Sequence, residues 1–175
     1  SPMSRGLGDV YKRQTYGRVS RAGVVPLSFS LDNVGPLTRT VEDNAIMLTA
    51  ISGHDPRDPA SARAEATDFT ADLDKGVKGM KIGLVRHFYE TDLKAQAEMA
   101  ASIDAAAKTL RKLGATVEEV EMSPLSEYAA VNRVILLSEA FAIHEKWLQE
   151  RPGDYAHFTR ERLMPGAFIR ATHYV

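Results

Sequence analysis

Hydrophobic positions in the middle of the chain follow first a strand pattern, then a helical period, then a strand pattern again. Residues 80–85 (MKIGLV) form a short apolar run typical of a buried strand. Across 95–113 apolar residues recur every three or four positions, which predicts a helix stopped by Gly114. The predicted buried stripe comprises Ala95, Met99, Ile103, Ala106, Leu110 and Leu113. A second strand is predicted at 116–122 (TVEEVEM), so that 80–122 forms a βαβ unit with parallel strands.

The N-terminal half gives a weaker pattern. Apolar residues at 24–31 (VVPLSFSL) are interrupted by Pro26, which predicts an irregular or edge strand. After a turn at 32–36 (DNVGP), Thr40 is a favourable N-cap for a helix that Gly53 would end. The stretch from 54 to 79 is rich in proline and small or charged residues, which is typical of a surface connection.

The C-terminal third is predicted to be helical. Ser123 and Pro124 form an N-cap with proline at the first helical position, and the helix should run to 151–153 (RPG). Its predicted buried face comprises Ala130, Val134, Leu137, Phe141, His144 and Leu148. A further helix is expected at about 155–163, and another after 165–166, whose apolar period reaches Val175 without a cap. We therefore predict an α/β fold, with the chain cut at its C-terminal end.

Composition and charge narrow the functional classes. The chain has 175 residues, of which 44% are hydrophobic, enough for one domain with a core. Its 22 basic and 23 acidic residues give a net charge of −1, so there is no charge excess for a nucleic-acid or membrane partner. The absence of cysteine excludes disulfides, thiolate nucleophiles and cysteine-ligated metals, and fits a reducing compartment. Since no segment holds the roughly 18 apolar residues of a membrane span, we expect a cytoplasmic protein.

Residues 1–14 (SPMSRGLGDVYKRQ) differ from the rest of the chain. They show no helical or strand period, and Arg5, Lys12 and Arg13 outnumber the single acid Asp9. The string resembles the translated remnant of a sequencing adapter, although a flexible basic arm is the alternative. We therefore expect an artefactual or disordered segment at 1–14 and the domain at 15–175.

Local motifs for common chemistry are missing from the sequence. It contains no phosphate-binding loop, no nucleophile elbow and no dinucleotide fingerprint. The histidines never fall at the i, i+4 spacing of a helical zinc pair, and each is more simply interpreted as a surface or packed residue. They are His54, His87, His144, His157 and His173. The sequence thus predicts no metal site.

Two short stretches admit a catalytic interpretation. The loop 54–59 (HDPRDP) combines an imidazole with two carboxylates, but Asp-Pro pairs form turns and two prolines make a stiff connection. Ser20 lies between Arg18 and Arg21, and an activated hydroxyl needs a base, which arginine does not provide. A structural role is the favoured interpretation of both.

Three blocks carry a family resemblance. They are 15–27 (TYGRVSRAGVVPL), 30–43 (SLDNVGPLTRTVED) and 53–59 (GHDPRDP), and in this order and spacing they resemble the amidase signature family. The strand, helix and strand from Lys81 to Met122 are similar to the middle section of that family. The resemblance covers roughly 15–175, with less specific matches after Met122. It implies a partial domain that is truncated at both ends, with a mixed β-sheet core flanked by helices.

This resemblance implies an enzyme that hydrolyses the C–N bond of small carboxamides without a cofactor or metal. Such enzymes use a serine nucleophile, a second serine held by a cis peptide, and a lysine that completes the proton relay. In the family these residues lie upstream, with the nucleophile shortly before the block that begins at Thr15. Since residues 1–14 occupy that position, no catalytic residue is assigned, and Ser4 and Lys12 receive no role. We expect this chain alone to be inactive.

The matched positions that remain are supporting ones. The resemblance implies that Gly17, Gly35 and Pro36 shape backbone turns. It also implies that Asp32 and Arg39 brace the loops behind the active site rather than contact substrate. Substrate-binding residues and the oligomeric state are not readable from this sequence.

Three functional interpretations stay open. The chain is part of an amidase, or part of the glutaminase-like component of a tRNA-dependent amidotransferase, which shares the family pattern. The segment 84–90 (LVRHFYE) resembles general amidases more than that component. The third interpretation is a non-catalytic α/β interaction module whose basic N-terminal arm binds an acidic partner.

Overall fold

The computed structural model describes residues 10–12, 14–64 and 67–175, and it divides the chain into two compact units. The first unit comprises the residues up to Leu73 together with Ile135–Val175, and the second comprises Asp74–Val134. The strands are β1 (Val10–Tyr11), β2 (Leu37–Thr38), β3 (Lys81–Leu84) and β4 (Thr116–Glu119). The α-helices are α1 (Val41–Ile51), α2 (Ala97–Lys112), α3 (Leu125–Glu150), α4 (His157–Leu163) and α5 (Ala171–Tyr174).

The first unit opens with a short antiparallel pair followed by α1. β1 pairs with β2, so that Val10 lies opposite Thr38. The predicted N-cap of α1 is confirmed, because the Thr40 hydroxyl accepts a hydrogen bond of 3.0 Å from the backbone N–H of Asp43. The helix buries Leu48, and its last residue, Ile51, lies two positions before Gly53, as predicted.

The apolar run at 24–31 does not form the predicted strand. The backbone there forms turns, and the carboxylate of Asp32 accepts the backbone N–H groups of Leu27 (2.8 Å) and Ser28 (3.0 Å). These are donors that a β-ladder would need, and Pro26 lacks a donor altogether. The side-chain cap from Asp32 therefore replaces strand pairing in this stretch.

The C-terminal part of the first unit is helical, as predicted. α3 begins directly after Ser123 and Pro124, and Ala140 and Leu148 of its second half form a small core with Leu163 of α4. The helix predicted to begin after Pro165 is wrong in its extent, because 164–168 forms a 3₁₀ turn and α5 spans only Ala171–Tyr174. Gly166 is buried there, and a side chain on it would collide with Phe141 (2.5 Å to its Cβ) and with the backbone of Leu137.

The second unit contains the predicted βαβ unit. β3 and β4 pair in parallel, from Lys81 opposite Thr116 to Leu84 opposite Glu119, and α2 connects them. The buried stripe predicted for α2 is wrong in part, since Met99 is 58% and Leu113 59% exposed. The inward face instead comprises Ile103, Asp104, Ala107 and Leu110, of which Ala107 is buried.

Arg86 links three elements of the second unit. Its guanidinium contacts Glu119 of β4 (2.7 Å), Asp104 of α2 (3.0 Å) and Glu90 (2.9 Å). Glu90 belongs to a π-helical turn, Phe88–Asp92. The carboxylates on α2 and β4 are thereby held close to the end of β3 by a single side chain.

The fold is mixed α/β, with helices and a small parallel two-stranded sheet. Within the described ranges the strands form two separate pairs rather than one larger sheet. None of the helices in the described part of the chain combines the length and the apolar composition that crossing a membrane requires.

Candidate functional site

The first and third sequence blocks are joined by Arg21 and Asp58. The backbone N–H of Arg21 donates to the Asp58 carboxylate at 2.8 Å, and the guanidinium forms an ion pair with it at 3.4 Å. The Asp58 side chain is only 4% exposed, and the backbone N–H groups of Arg21 and Ala60 hold its pKa below the ordinary value. Because buried carboxylates need such partners, this contact fixes residues 53–59 against the first block.

Arg21 also reaches Phe29, the residue that directly precedes the second block. Its Nη1 donates to the backbone carbonyl of Phe29 at 2.7 Å, and the Tyr16 hydroxyl donates to the same oxygen at 2.5 Å. The guanidinium carbon lies 4.8 Å from the centre of the Tyr16 ring, within cation–π range. Arg21 therefore joins the first block to the third block and to the turn that precedes the second.

Ser20 lies beside a carboxylate that the local sequence did not reveal. Its hydroxyl donates to Asp55 at 2.7 Å and accepts the backbone N–H of Ala22 at 3.1 Å. Hydrogen bonds from the Arg57 side chain, from the Arg57 backbone and from Ser20 lower the pKa of Asp55 far below its usual range. So weak a base does not activate a serine, and Ser20 acts as a hydrogen-bond donor to the loop.

The loop 54–59 uses its polar groups internally. His54 Nδ1 lies 3.3 Å from the carbonyl of Ser61, and the Ser61 hydroxyl accepts the backbone N–H of Asp55 at 2.9 Å. Asp55 and Asp58 are held by Arg57 and Arg21. This geometry matches the structural interpretation of the loop as a stiff connection.

Gly17 lies where the first block meets the stretch after this loop. Its carbonyl accepts the backbone N–H of Ala62 at 2.9 Å, and its φ is 78°. A Cβ at this position would lie 2.5 Å from the carbonyl oxygen of Ala60. Glycine is required here both for its φ and for space.

The other predicted supporting residues lie apart from Gly17. Asp32 caps the turn at 27–28, as described above. Pro36 is fully buried, and its carbonyl accepts the backbone N–H of Lys12 at 3.3 Å. Gly35 lies against the backbone of Lys12 and the side chain of Gln14. Arg39 is exposed and makes no ion pair or hydrogen bond through its side chain with the described residues.

A buried carboxylate that the sequence did not single out holds the second block. Glu139 of α3 is 8% exposed and accepts hydrogen bonds from the Ser28 hydroxyl, from the Ser30 backbone (3.0 Å) and hydroxyl (2.8 Å), and from the Tyr174 hydroxyl (2.9 Å). Burial alone would raise the pKa of Glu139, but hydrogen bonds from Ser28 and Ser30 outweigh it and hold the pKa below its ordinary value. Ser28 itself is fully buried.

His144, five residues further along α3, supports the same loop. Its Nε2 donates to the carbonyl of Pro26 at 3.0 Å, so its Nδ1 accepts from the Tyr155 hydroxyl at 2.9 Å in the neutral ring. This buried histidine is a packing residue, in line with the sequence-based interpretation. No cluster of three or more potential metal-ligating side chains occurs among the residues that the structure describes.

An open groove of about 660 Å³ lies at the end of α3 in the first unit. It is lined by Leu148 and Pro152, by His157, Arg160 and Glu161 of α4, and by the turn 164–168. No local sequence pattern points to a site there, because the lining residues come from α3, the turn after it, α4 and the turn 164–168.

Comparison with known proteins gives a consistent result. A family model described as Amidase matches residues 13–167. The chain is 45% identical over 131 residues to the A component of the glutamyl-tRNA(Gln) amidotransferase of Macrococcus caseolyticus, a match that covers 75% of this chain and 27% of that protein. It is 39% identical over 164 residues to an amidase of Pseudomonas putida, with 94% of this chain and 35% of that protein covered.

A solved structure shows the same backbone arrangement. It is a chain of a vestigial protein complex that reveals the evolutionary origins of an s-triazine catabolic enzyme, and it matches with a TM-score of 0.83 at 30% identity. The match covers 93% of this chain and 34% of that one. The chain thus spans about a third of the length of the proteins it matches.

Proposed function

Because the chain belongs to the amidase family, we propose that it forms the supporting portion of an enzyme that hydrolyses the C–N bond of small carboxamides. The match over residues 13–167 carries this proposal. The contacts of Arg21 with Asp58 of the third block and with the carbonyl of Phe29 support it, since loops that hold catalytic groups must themselves be held rigidly.

In the complete enzyme, the serine nucleophile, the second serine and the lysine would lie upstream of Thr15. Gly17 and Asp32 would then hold the loops that follow the nucleophile. A positioned base would remove the serine proton, and backbone donors would stabilise the tetrahedral oxyanion. The pair β3–β4 would belong to a larger mixed sheet completed by those other portions.

The chain by itself is inactive under this proposal. Ser20 is engaged with an Asp55 carboxylate whose pKa is far too low for a general base. Purified chain should release no ammonia above the buffer blank from acetamide, benzamide or glutamine. Ammonia release that disappears on substituting any residue of this chain would contradict the proposal.

The DNA upstream of Thr15 provides an independent test. We expect an open reading frame there that encodes a Gly/Ser-rich segment with two serines and a lysine. A stop codon directly upstream of the present first residue would instead favour the non-catalytic module with a basic arm.

A second candidate is the glutaminase-like component of a tRNA-dependent amidotransferase. The 45% identity to such a protein over 131 residues favours it, although the amidase match covers more of the chain. The complete enzyme should be assayed with glutamine and with simple amides of similar size. Preference for simple amides would support the amidase, and glutamine hydrolysis that depends on partner proteins would support the second candidate.

A further inference from the structure

The groove at the end of α3 contains a guanidinium without a partner. Arg160 is half-buried and lines the groove, and within the described residues no carboxylate lies within ion-pair distance of it. The neighbouring charged groups on α4 do have contacts of their own: His157 lies 3.5 Å from Glu161, and Arg162 stacks over Phe158 at 5.3 Å. Arg160 is therefore the cation in this groove that a negatively charged ligand can pair with.

Apart from Arg160, His157 and Glu161, the residues that line the groove are apolar. Leu148 is buried in the small core, whereas Met164 is 44% and Phe168 80% exposed. A volume of about 660 Å³ lies in the range of small-molecule sites. An apolar wall beside one unpaired cation suits a ligand with a hydrocarbon body and one anionic end.

The charge pattern also restricts the anion. A guanidinium that has lost part of its hydration binds a planar carboxylate through two parallel hydrogen bonds. Glu161 lines the same groove and would repel a second negative charge on the ligand. A monocarboxylate is favoured over a dicarboxylate for this reason.

We infer that this groove binds a small organic monocarboxylate, with its carboxylate on Arg160 and its apolar body against Leu148, Met164 and Phe168. Binding needs none of the residues expected upstream of Thr15, so this inference does not depend on the proposed function. Failure of the chain to bind the acid would leave the amidase proposal unaffected. Likewise, failure of the amidase proposal would leave this inference unaffected.

The direct test is a titration of the full chain, labelled at its methionine methyl groups, with 3-phenylpropionate. We expect a saturable shift of the Met164 methyl signal, identified by its loss in Met164→Leu, while the Met99 signal in the second unit stays constant. The neutral 3-phenylpropanol has the same hydrocarbon body and should bind about tenfold more weakly. Equal binding of the acid and the alcohol, or no shift of the Met164 signal, would overturn the inference.

Two variants with the same change of charge locate the contact. Arg160→Met should weaken 3-phenylpropionate binding about tenfold or more, whereas Arg162→Met, on the same helix outside the lining, should leave it unchanged. Equal weakening by both would mean unspecific attraction and would contradict the site. If Arg160→Met loses its helical circular dichroism, Arg160→Lys decides instead. Arg160→Lys keeps the positive charge but lacks the planar guanidinium. Unchanged affinity for 3-phenylpropionate in this variant would contradict the two parallel hydrogen bonds to the carboxylate.

Discussion

Gly17 and Gly23 show that the same backbone conformation can have different consequences. Both have positive φ, 78° and 83°, a region that side chains with a Cβ rarely adopt. A Cβ on Gly17 would lie 2.5 Å from the carbonyl oxygen of Ala60, whereas a Cβ on Gly23 would have no neighbour within 4 Å. Comparing an alanine substitution at the two positions therefore separates the free-energy cost of the positive φ from that of the steric collision.

We predict unequal losses of stability for Gly17→Ala and Gly23→Ala. Gly23→Ala should lower the free energy of unfolding by about 1–2 kcal/mol, the cost of a left-handed residue. Gly17→Ala should lower it by roughly 1–3 kcal/mol more, because the Ala60 backbone must move. Urea unfolding with linear extrapolation measures both, and equal losses would show that Ala60 relaxes freely.

In the βαβ unit, the end of β3 depends on a charged residue rather than on a large apolar core. Arg86 contacts carboxylates on β4 and α2 as well as Glu90, while Val117 and Ala107 supply small buried surfaces. A single exposed ion pair contributes little to stability, but Arg86 has three carboxylate partners, and its contribution should therefore be larger. Together these contacts keep α2 close to the parallel pair.

We predict that Arg86→Met lowers the Tm of the chain by a few degrees, and that the effect shrinks as NaCl is raised towards about 1 M. The reason is that removing Arg86 leaves three carboxylates close together, and salt screens their repulsion. Lys108→Met removes the same charge from the exposed face of α2 and should leave the Tm almost unchanged. Equal shifts in the two variants would mean that net charge, not the Arg86 contacts, governs stability.

Acid sensitivity is a property of the complete chain. Carboxylates with lowered pKa occur in both units: Asp55, Asp58 and Glu139 in the first and Asp92 in the second. Each favours the folded state while it is ionised. This contribution is fully present above the unfolded pKa and is lost as the pH falls through the folded pKa.

We therefore predict that the Tm is nearly constant from about pH 7 to about 5 and falls steadily below about pH 4, where unfolded carboxyls become protonated. Glu139→Gln should already be less stable at neutral pH and should lose less on acidification, because one of the ionised acceptors is gone. Scanning calorimetry across this pH range tests both statements. A Tm that stays constant down to about pH 3 would contradict them.

Local features were predictable, and contacts between distant residues were not. The Thr40 cap follows from residues three positions apart, and the βαβ unit follows from two strand patterns joined by a helical one, a connection that favours parallel strands; both are confirmed. Glu139 meets Ser28 across 111 positions and Arg21 meets Asp58 across 37, distances over which a periodic pattern carries no information. The predicted strand at 24–31 failed because a side chain, Asp32, took the backbone donors that the pattern assigned to a neighbouring strand.

The burial of Ser28 has a consequence for observing this molecule in solution. A serine hydroxyl hydrogen normally exchanges with water too quickly to be followed, but that of Ser28 is shielded and donates to Glu139. It can exchange with deuterium only when the loop separates from α3, so its lifetime measures how often that separation occurs. The exchange rate of this one hydroxyl hydrogen thus reports how often the loop that contains it opens.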